Sequence, residues 1–234
     1  MQGRHFLDKN DGPERGDALC YETLVSMAAE VHLDIIGAFH PAQNDTGLDN
    51  VATMLLLGPK EPGFWDHVSQ SPEFSDNHPD PMDRWSSRTI QTLSDAWNGT
   101  AFFPFGGPPY RPFLTWATQS GRAWVSPAHL LVHDQAGLMV SYRGAVALTE
   151  TIDIPKTGVS PCPTCTDKPC VSSCPVDAIS ETGYDLSACH DYLDTPAGED
   201  CMKNGCAVRR SCPVSKSYRR NPFQSAFHMK AFHR

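Results

Sequence analysis

Within ALCYETLVSMAAEV (18–31) apolar side chains recur at positions 20, 24, 28 and 31. That interval predicts an amphipathic helix, with Cys20 on its apolar face as a buried small hydrophobe. DIIGAFH (34–40) and VATMLLLG (51–58) are short apolar runs bounded by turn residues, the pattern of buried strands. In PMDRWSSRTIQTLSDAWNG (81–99), Met82, Trp85, Ile90, Leu93 and Trp97 return at helical intervals, and the Asn-Gly end is a helix stop. LMVSYRGAVAL (138–148) reads as one long strand. Helices and strands are interspersed, so the chain is expected to be α+β, with a layered α/β arrangement over its first 155 residues.

Two stretches break the periodicity. FFPFGGPPYRPF (102–113) is too rich in proline and glycine for regular structure and presents several aromatic faces, so it is a shaped loop that serves either packing or a pocket. TIDIPKTGVSPCP (151–163) marks the junction between a domain at 1–155 and a second at 156–234. The second is expected to end in a basic helix that Phe223, Phe227 and Phe232 pack back onto it.

Composition adds location and charge. The chain has 234 residues, 40% of them hydrophobic, enough for a sizeable core. No apolar run reaches membrane-spanning length, and the start, MQGRHFLDKNDGPERGD, is polar rather than signal-like, so a cytoplasmic, non-exported protein is expected. Residues 1–155 carry nine Lys+Arg against nineteen Asp+Glu, whereas residues 201–234 carry eight Lys+Arg and no acid. The overall charge of −8 and the lack of any nucleic-acid-binding signature argue against nucleic acid as the partner of that basic end.

The densest chemistry lies in the cysteines, eight of nine falling within residues 162–212. In a reducing compartment such a pattern holds metal rather than disulfides. The first group runs Cys162-x2-Cys165-x4-Cys170-x3-Cys174-Pro; the second is looser, Cys189, Cys201, Cys206 and Cys212-Pro. Structural zinc favours paired C-x2-4-C ligands, and only Cys162 and Cys165 have that spacing. Eight thiols in two groups ending in Cys-Pro suit two 4Fe-4S clusters instead. Such clusters are anionic, and Arg209, Arg210, Lys216, Arg219, Arg220 and Lys230 are available to offset them.

The first run resembles the bacterial ferredoxins, with a second gap two residues longer that the loop TDKP absorbs. In those proteins the proline-flanked cysteine ligates the other cluster. That resemblance implies Cys162, Cys165, Cys170 and Cys212 for one cluster, and Cys189, Cys201, Cys206 and Cys174 for the other. The stretch RPFLTWATQSGRAWVSPAHLLVHDQAGLMVSYRGAVAL (111–148), leading into CPTCTDKPCVSSCPVDAI, resembles the epoxyqueuosine reductases and their reductive dehalogenase relatives. The matching pieces are Gly121-Arg-Ala-Trp124, a strand at Leu130-Leu131-Val132 and the strand at 138–148. His129 or His133, followed by Gly137 and Tyr142-Arg143-Gly144, is similar to the strand pair of cobalamin-processing trafficking proteins. These resemblances imply a nitroreductase-like domain that binds cobalamin or FMN, next to a two-cluster ferredoxin module. Where epoxyqueuosine reductases carry an acidic proton donor, this chain has Gly106-Gly107-Pro108-Pro109, and it stops at Arg234 without their helical repeats, so epoxyqueuosine reduction is not expected.

The candidate pocket residues are Phe105, Tyr110, Arg111, Trp124, His129, His133, Tyr142 and Arg143. His129 and His133 would suit a metal only on a shared helix, yet they flank a predicted strand. Arg143 needs an anionic partner, either Asp134 or a ligand's carboxylate or phosphate. No catalytic side chain is assigned. Three functions remain open: an iron–sulfur oxidoreductase passing single electrons to a corrinoid, flavin or small-molecule substrate; a ferredoxin-type carrier serving a redox partner protein; and a cobalamin-handling reductase. The absence of Gly-x-Gly-x-x-Gly and of a P-loop disfavours Rossmann-type nicotinamide binding and nucleotide hydrolysis.

Overall fold

The computed structural model describes residues 19–42, 45, 47–180 and 183–233; the polar start, through Ala18, lies outside them. Helix α1 (Tyr21–Glu30) buries Leu24 and Ala28, as the spacing predicts. Cys20 differs from expectation. It sits in extended backbone just before the helix and is exposed, its sulfur 3.1 Å from the Thr23 hydroxyl. The helical face begins one residue too late to carry it inward.

Strands β1 (Leu33–Phe39) and β2 (Thr53–Pro59) pair antiparallel. They are followed by α2 (Phe64–Val68), α3 (Pro72–Ser75), α4 (Pro81–Ala96), β3 (Thr100–Phe102) and α5 (Phe113–Gln119). A hairpin of β4 (Ala123–Val125) and β5 (Leu131–His133) precedes β6 (Gly144–Leu148). The main sheet has the order β1-β2-β6-β3, antiparallel throughout, so β2 and β6 are central.

Both central strands are buried along their whole length, which is why they read as continuous apolar runs rather than as alternation. The alternation is still present, hidden in the two faces. Leu55, Leu57, Val146 and Leu148 point to one core with Leu24, Trp85, Ile90 and Leu93 of α1 and α4. Met54, Leu56, Ala145 and Ala147 point to the other, with Phe113, Trp116 and Ala117 of α5. Helix α4 starts with Pro81 at its first turn and ends where Asn98 turns left-handed at φ 55°, the stop read from Asn-Gly.

The expected long strand over 138–148 is shorter than predicted, spanning Gly144–Leu148. At the start of the expected strand, Leu138 has given its backbone groups to distant partners. The Leu138 N–H donates to Ser215 Oγ at 2.8 Å, and the Leu138 carbonyl accepts from Arg209 Nη1 at 2.6 Å. Gly137, at φ 58°, makes the turn into this segment, and a Cβ there would clash with the Ser215 backbone nitrogen.

Residues 151–160 form no helix or strand. Beyond them come a 3-10 turn at Pro169–Val171, a two-residue ribbon of β7 (Ile179–Ser180) and β8 (Gly183–Tyr184), and five short helices. The helices are α6 (Leu186–Leu193), α7 (Glu199–Asn204), α8 (Ala207–Ser211), α9 (Pro213–Tyr218) and α10 (Pro222–Phe232). This cysteine-bearing region packs on the β4–β5 hairpin: Ala128, Val132 and Leu138 form a small core with Cys170, Ile179 and Val208. It also reaches back to the helices under the sheet. Phe227 of α10 packs on Trp65 and Phe74, and the Tyr218 hydroxyl donates to the Pro59 carbonyl at 2.6 Å. Phe223 is exposed, and Phe232 stacks on His190. No helix among the described residues is long and apolar enough to cross a membrane.

Candidate functional site

Two short spacers explain how eight cysteines fall into two sets. Cys206 and Cys212 cap opposite ends of α8, so six residues of helical rise hold them about 9 Å apart along its axis. Cys212 is followed by Pro213, which starts α9 with its fixed φ and its missing N–H at a position that needs none. Cys170 lies in the 3-10 turn, and Cys174 lies four residues on, where its carbonyl accepts from the Asp177 N–H at 3.2 Å. Each spacer therefore sends one cysteine to each side.

On one side is a cavity of about 530 Å³ lined by Cys162, Cys165, Cys170 and Cys212. On the other is a cavity of about 290 Å³ lined by Cys174, Cys189, Cys201 and Cys206. These are the two groups in which the ferredoxin resemblance sorted the thiols. Cys162 and Cys165 are held by a turn, the Cys165 N–H donating to the Cys162 carbonyl at 3.2 Å. Cys189 comes from α6, whose start is capped by Asp185 accepting from the Ala188 N–H at 2.9 Å, and Cys201 comes from α7.

Burial pushes the Cys170 thiol above its ordinary value, and the neighbouring thiols of Cys162, Cys212 and Cys165 push the same way. Cys162 is raised by burial and then by Cys212 and Cys165. In the second cavity burial raises Cys189 and Cys201; the Tyr184 hydroxyl, 3.4 Å from the Cys189 sulfur, and the Ala207 N–H facing Cys201 oppose the rise. Burial thus disfavours the thiolate form at Cys162 and Cys170 in the first quartet and at Cys189 and Cys201 in the second. A bound metal centre would offset that penalty and release protons on binding, and four thiols are the donor chemistry that an iron–sulfur cluster takes.

The basic residues divide between the sites. Lys168 and Lys216 line the first cavity; Arg209 and Arg220 line the second, joined there by Arg143. Arg210 turns outward to pair with Asp200, and Arg219 and Lys230 are exposed. Arg143 does not pair with Asp134. Its Nη1 lies 3.5 Å from Asp83 Oδ1, because Asp134 is engaged by Arg122 through two bonds of 2.9 Å.

The remaining pocket candidates do not converge on one point. Tyr110 (67% exposed) and Arg111 flank a groove with Phe105, and the Arg111 guanidinium lies 4.7 Å over the Phe102 ring. Trp124, opposite Val132 in the hairpin, packs against the core that contains Cys170, and His129 occupies the hairpin turn at φ 55°. Tyr142 is buried against Phe113. His133 is a structural histidine: its Nδ1 accepts from the Gln135 and Ala136 N–H groups at 3.1 and 3.2 Å, leaving Nε2–H to donate to the Ile36 carbonyl at 2.7 Å. Burial lowers its pKa, which keeps it neutral.

Sequence reading missed Tyr184, Tyr192 and His228, which line the second cavity, and Glu61, which reaches the cavity's Arg220 through Gln224. The Gln224 amide bridges Glu61 to Arg220, donating to Glu61 Oε1 at 2.5 Å and accepting from Arg220 Nη2 at 3.2 Å. None of these carries a spacing signal, since Glu61 and Arg220 are 159 positions apart. No family model, curated protein or solved structure matches the chain.

Proposed function

We propose that the chain is an iron–sulfur redox protein that holds two 4Fe-4S clusters, one on Cys162, Cys165, Cys170 and Cys212 and the other on Cys174, Cys189, Cys201 and Cys206. The observation that carries this reading is the pair of cavities, each lined by four cysteines, with Cys174 and Cys212 exchanged between the two sequence groups. When bound, such clusters supply reversible one-electron storage and transfer. The chain's own residues supply the ligands, the Tyr184 hydroxyl facing the Cys189 sulfur, and the cations that make an anionic group tolerable in a partly buried site. In this reading the region after residue 155 is a ferredoxin-like module, and its partner is a redox protein or a site in the nitroreductase-like N-terminal domain.

Iron and acid-labile sulfide analysis of anaerobically reconstituted protein tests the reading. About eight of each per chain is expected from two four-iron clusters. Protein that takes up zinc alone, or no metal, overturns it.

A second reading, an oxidoreductase with a flavin or corrinoid in the N-terminal domain, has one observation in its favour. The groove lined by Phe102, Phe103, Phe105, Tyr110 and Arg111, about 620 Å³, offers flat apolar faces with a cation beside them. Such a lining suits a planar, anionic cofactor. Titration with FMN or hydroxocobalamin should then perturb the ligand's absorption spectrum, and Arg111→Ala should weaken binding. An unchanged spectrum for both ligands leaves electron transfer alone.

A further inference from the structure

The two cysteine cavities differ in the charge around them. The second is lined by Arg143, Arg209 and Arg220, and among the described residues no carboxylate lines it. The first is lined by Lys168, Lys216 and Asp167, all exposed to solvent. Water and salt screen those exposed charges far more than they screen the arginines.

The arginines also have few counter-charges of their own. Arg143, its side chain 12% exposed, has Asp83 at 3.5 Å, and its Nε has no hydrogen-bond partner. Arg209 donates to the Leu138 carbonyl, which carries no net charge. Arg220 donates to Ser141 Oγ at 2.7 Å and to the Gln224 amide oxygen, with Glu61 one bond further away. Burial raises the Glu61 carboxyl to about 7, so it is only a partial counter-ion near neutral pH. Burial lowers the pKa of all three arginines, so each gains from added negative charge. His228, on the same wall, is held neutral by burial and by these three cations.

We propose that Arg143, Arg209 and Arg220 make the chamber of Cys174, Cys189, Cys201 and Cys206 the electron-accepting end of the protein, its cluster held at a higher reduction potential than the cluster of Cys162, Cys165, Cys170 and Cys212. The inference rests on the iron–sulfur reading above and adds a direction to it. One electron from an external one-electron donor, dithionite in the test below, reduces one cluster and adds one negative charge. Fixed positive charge favours the reduced form, so electrons come to rest in the arginine-lined chamber.

Anaerobic potentiometric titration with dithionite, followed by electron paramagnetic resonance, should resolve two reduction waves in the wild-type protein. Arg220→Gln should lower the upper wave and leave the lower one in place, whereas Arg220→Lys, which keeps the charge, should return it most of the way. Lys216→Gln should move only the lower wave. If Arg220→Gln does not fold, Arg143→Gln is expected to behave in the same way. Two coincident waves in protein holding about eight irons, or an Arg220→Gln shift in the lower wave or in neither, overturns this inference alone. Protein that binds no iron overturns the reading on which it stands.

Discussion

Cys212→Ala separates spatial from sequential grouping. By position Cys212 belongs with Cys201 and Cys206, six residues after the latter. In space it lines the cavity of Cys162, Cys165 and Cys170, because α8 carries the chain about 9 Å between its two capping cysteines. Four cysteines line each cavity, so removing Cys212 should cost one site, or about four of about eight irons per chain. The sharper measurement is a pair of double variants. Removal of Cys170 and Cys212 together should cost the same four irons as either alone, since both act on one site. Removal of Cys201 and Cys212 together should cost all of them, since effects at independent sites add. Iron and sulfide analysis reads the result, and paramagnetic resonance of the reduced single variants should show one cluster signal instead of two. If the pair Cys170 and Cys212 loses all iron while Cys201 and Cys212 loses half, the cysteines are grouped by sequence and the cavities have been misread.

Three further outcomes follow from the packing. His133→Leu leaves the Ile36 carbonyl and the Gln135 and Ala136 N–H groups without partners. It should lower stability to denaturant by about 3–5 kcal/mol with iron content unchanged, and lost iron at full stability would make His133 a ligand after all. Gly137→Ala combines a left-handed φ with a backbone clash at Ser215. A loss of about 2–4 kcal/mol is expected in thermal melts, and Ala at wild-type stability would refute the close approach. Glu61 titrates near 7 in the folded protein, above its ordinary value, so the folded state keeps a proton that the unfolded chain releases. Its contribution is fully present below about pH 4.5 and is lost as pH rises through 7. After discounting for partial exposure, Glu61→Gln should gain about 1–2 kcal/mol at pH 8 and flatten that part of the pH–stability curve.

What could be read from the sequence and what could not differ in one respect, the distance along the chain over which the deciding interaction acts. Helix α4 is legible because its apolar face, its Pro81 start and its Asn98 stop are all local. Strands β2 and β6 are legible as buried runs, although only pairing on both sides determines which core each side chain enters. The segment 138–143 misleads because its apolar residues look like strand, while at its start the Leu138 backbone is claimed by Ser215 and Arg209, more than seventy positions away, and the Met139 N–H turns back to the Ala136 carbonyl. Arg143 was expected to meet either Asp134, nine residues before it, or a ligand's carboxylate or phosphate; Arg122 already holds Asp134 in the hairpin, and Asp83 from α4 lies beside the guanidinium instead. Cys20 shows the local limit, where one residue at a helix boundary decides between a buried and an exposed thiol.

The cysteines lie between these cases. Their spacing is local and marks the two runs, while in the sequence the exchange of Cys174 and Cys212 between them is implied by the ferredoxin resemblance alone; the charge around each group is not legible in either. Arg143 comes from the sheet side of the molecule, Arg209 from α8 and Arg220 from the turn before α10, and only the folded chain brings them to one wall. On the iron–sulfur reading proposed above, the motif specifies how many electrons the chain stores, while the tertiary fold decides where they rest. On that reading the second decision belongs to Arg143, Arg209 and Arg220, which line one cavity with only Asp83 and, through Gln224, Glu61 as nearby carboxylates among the described residues.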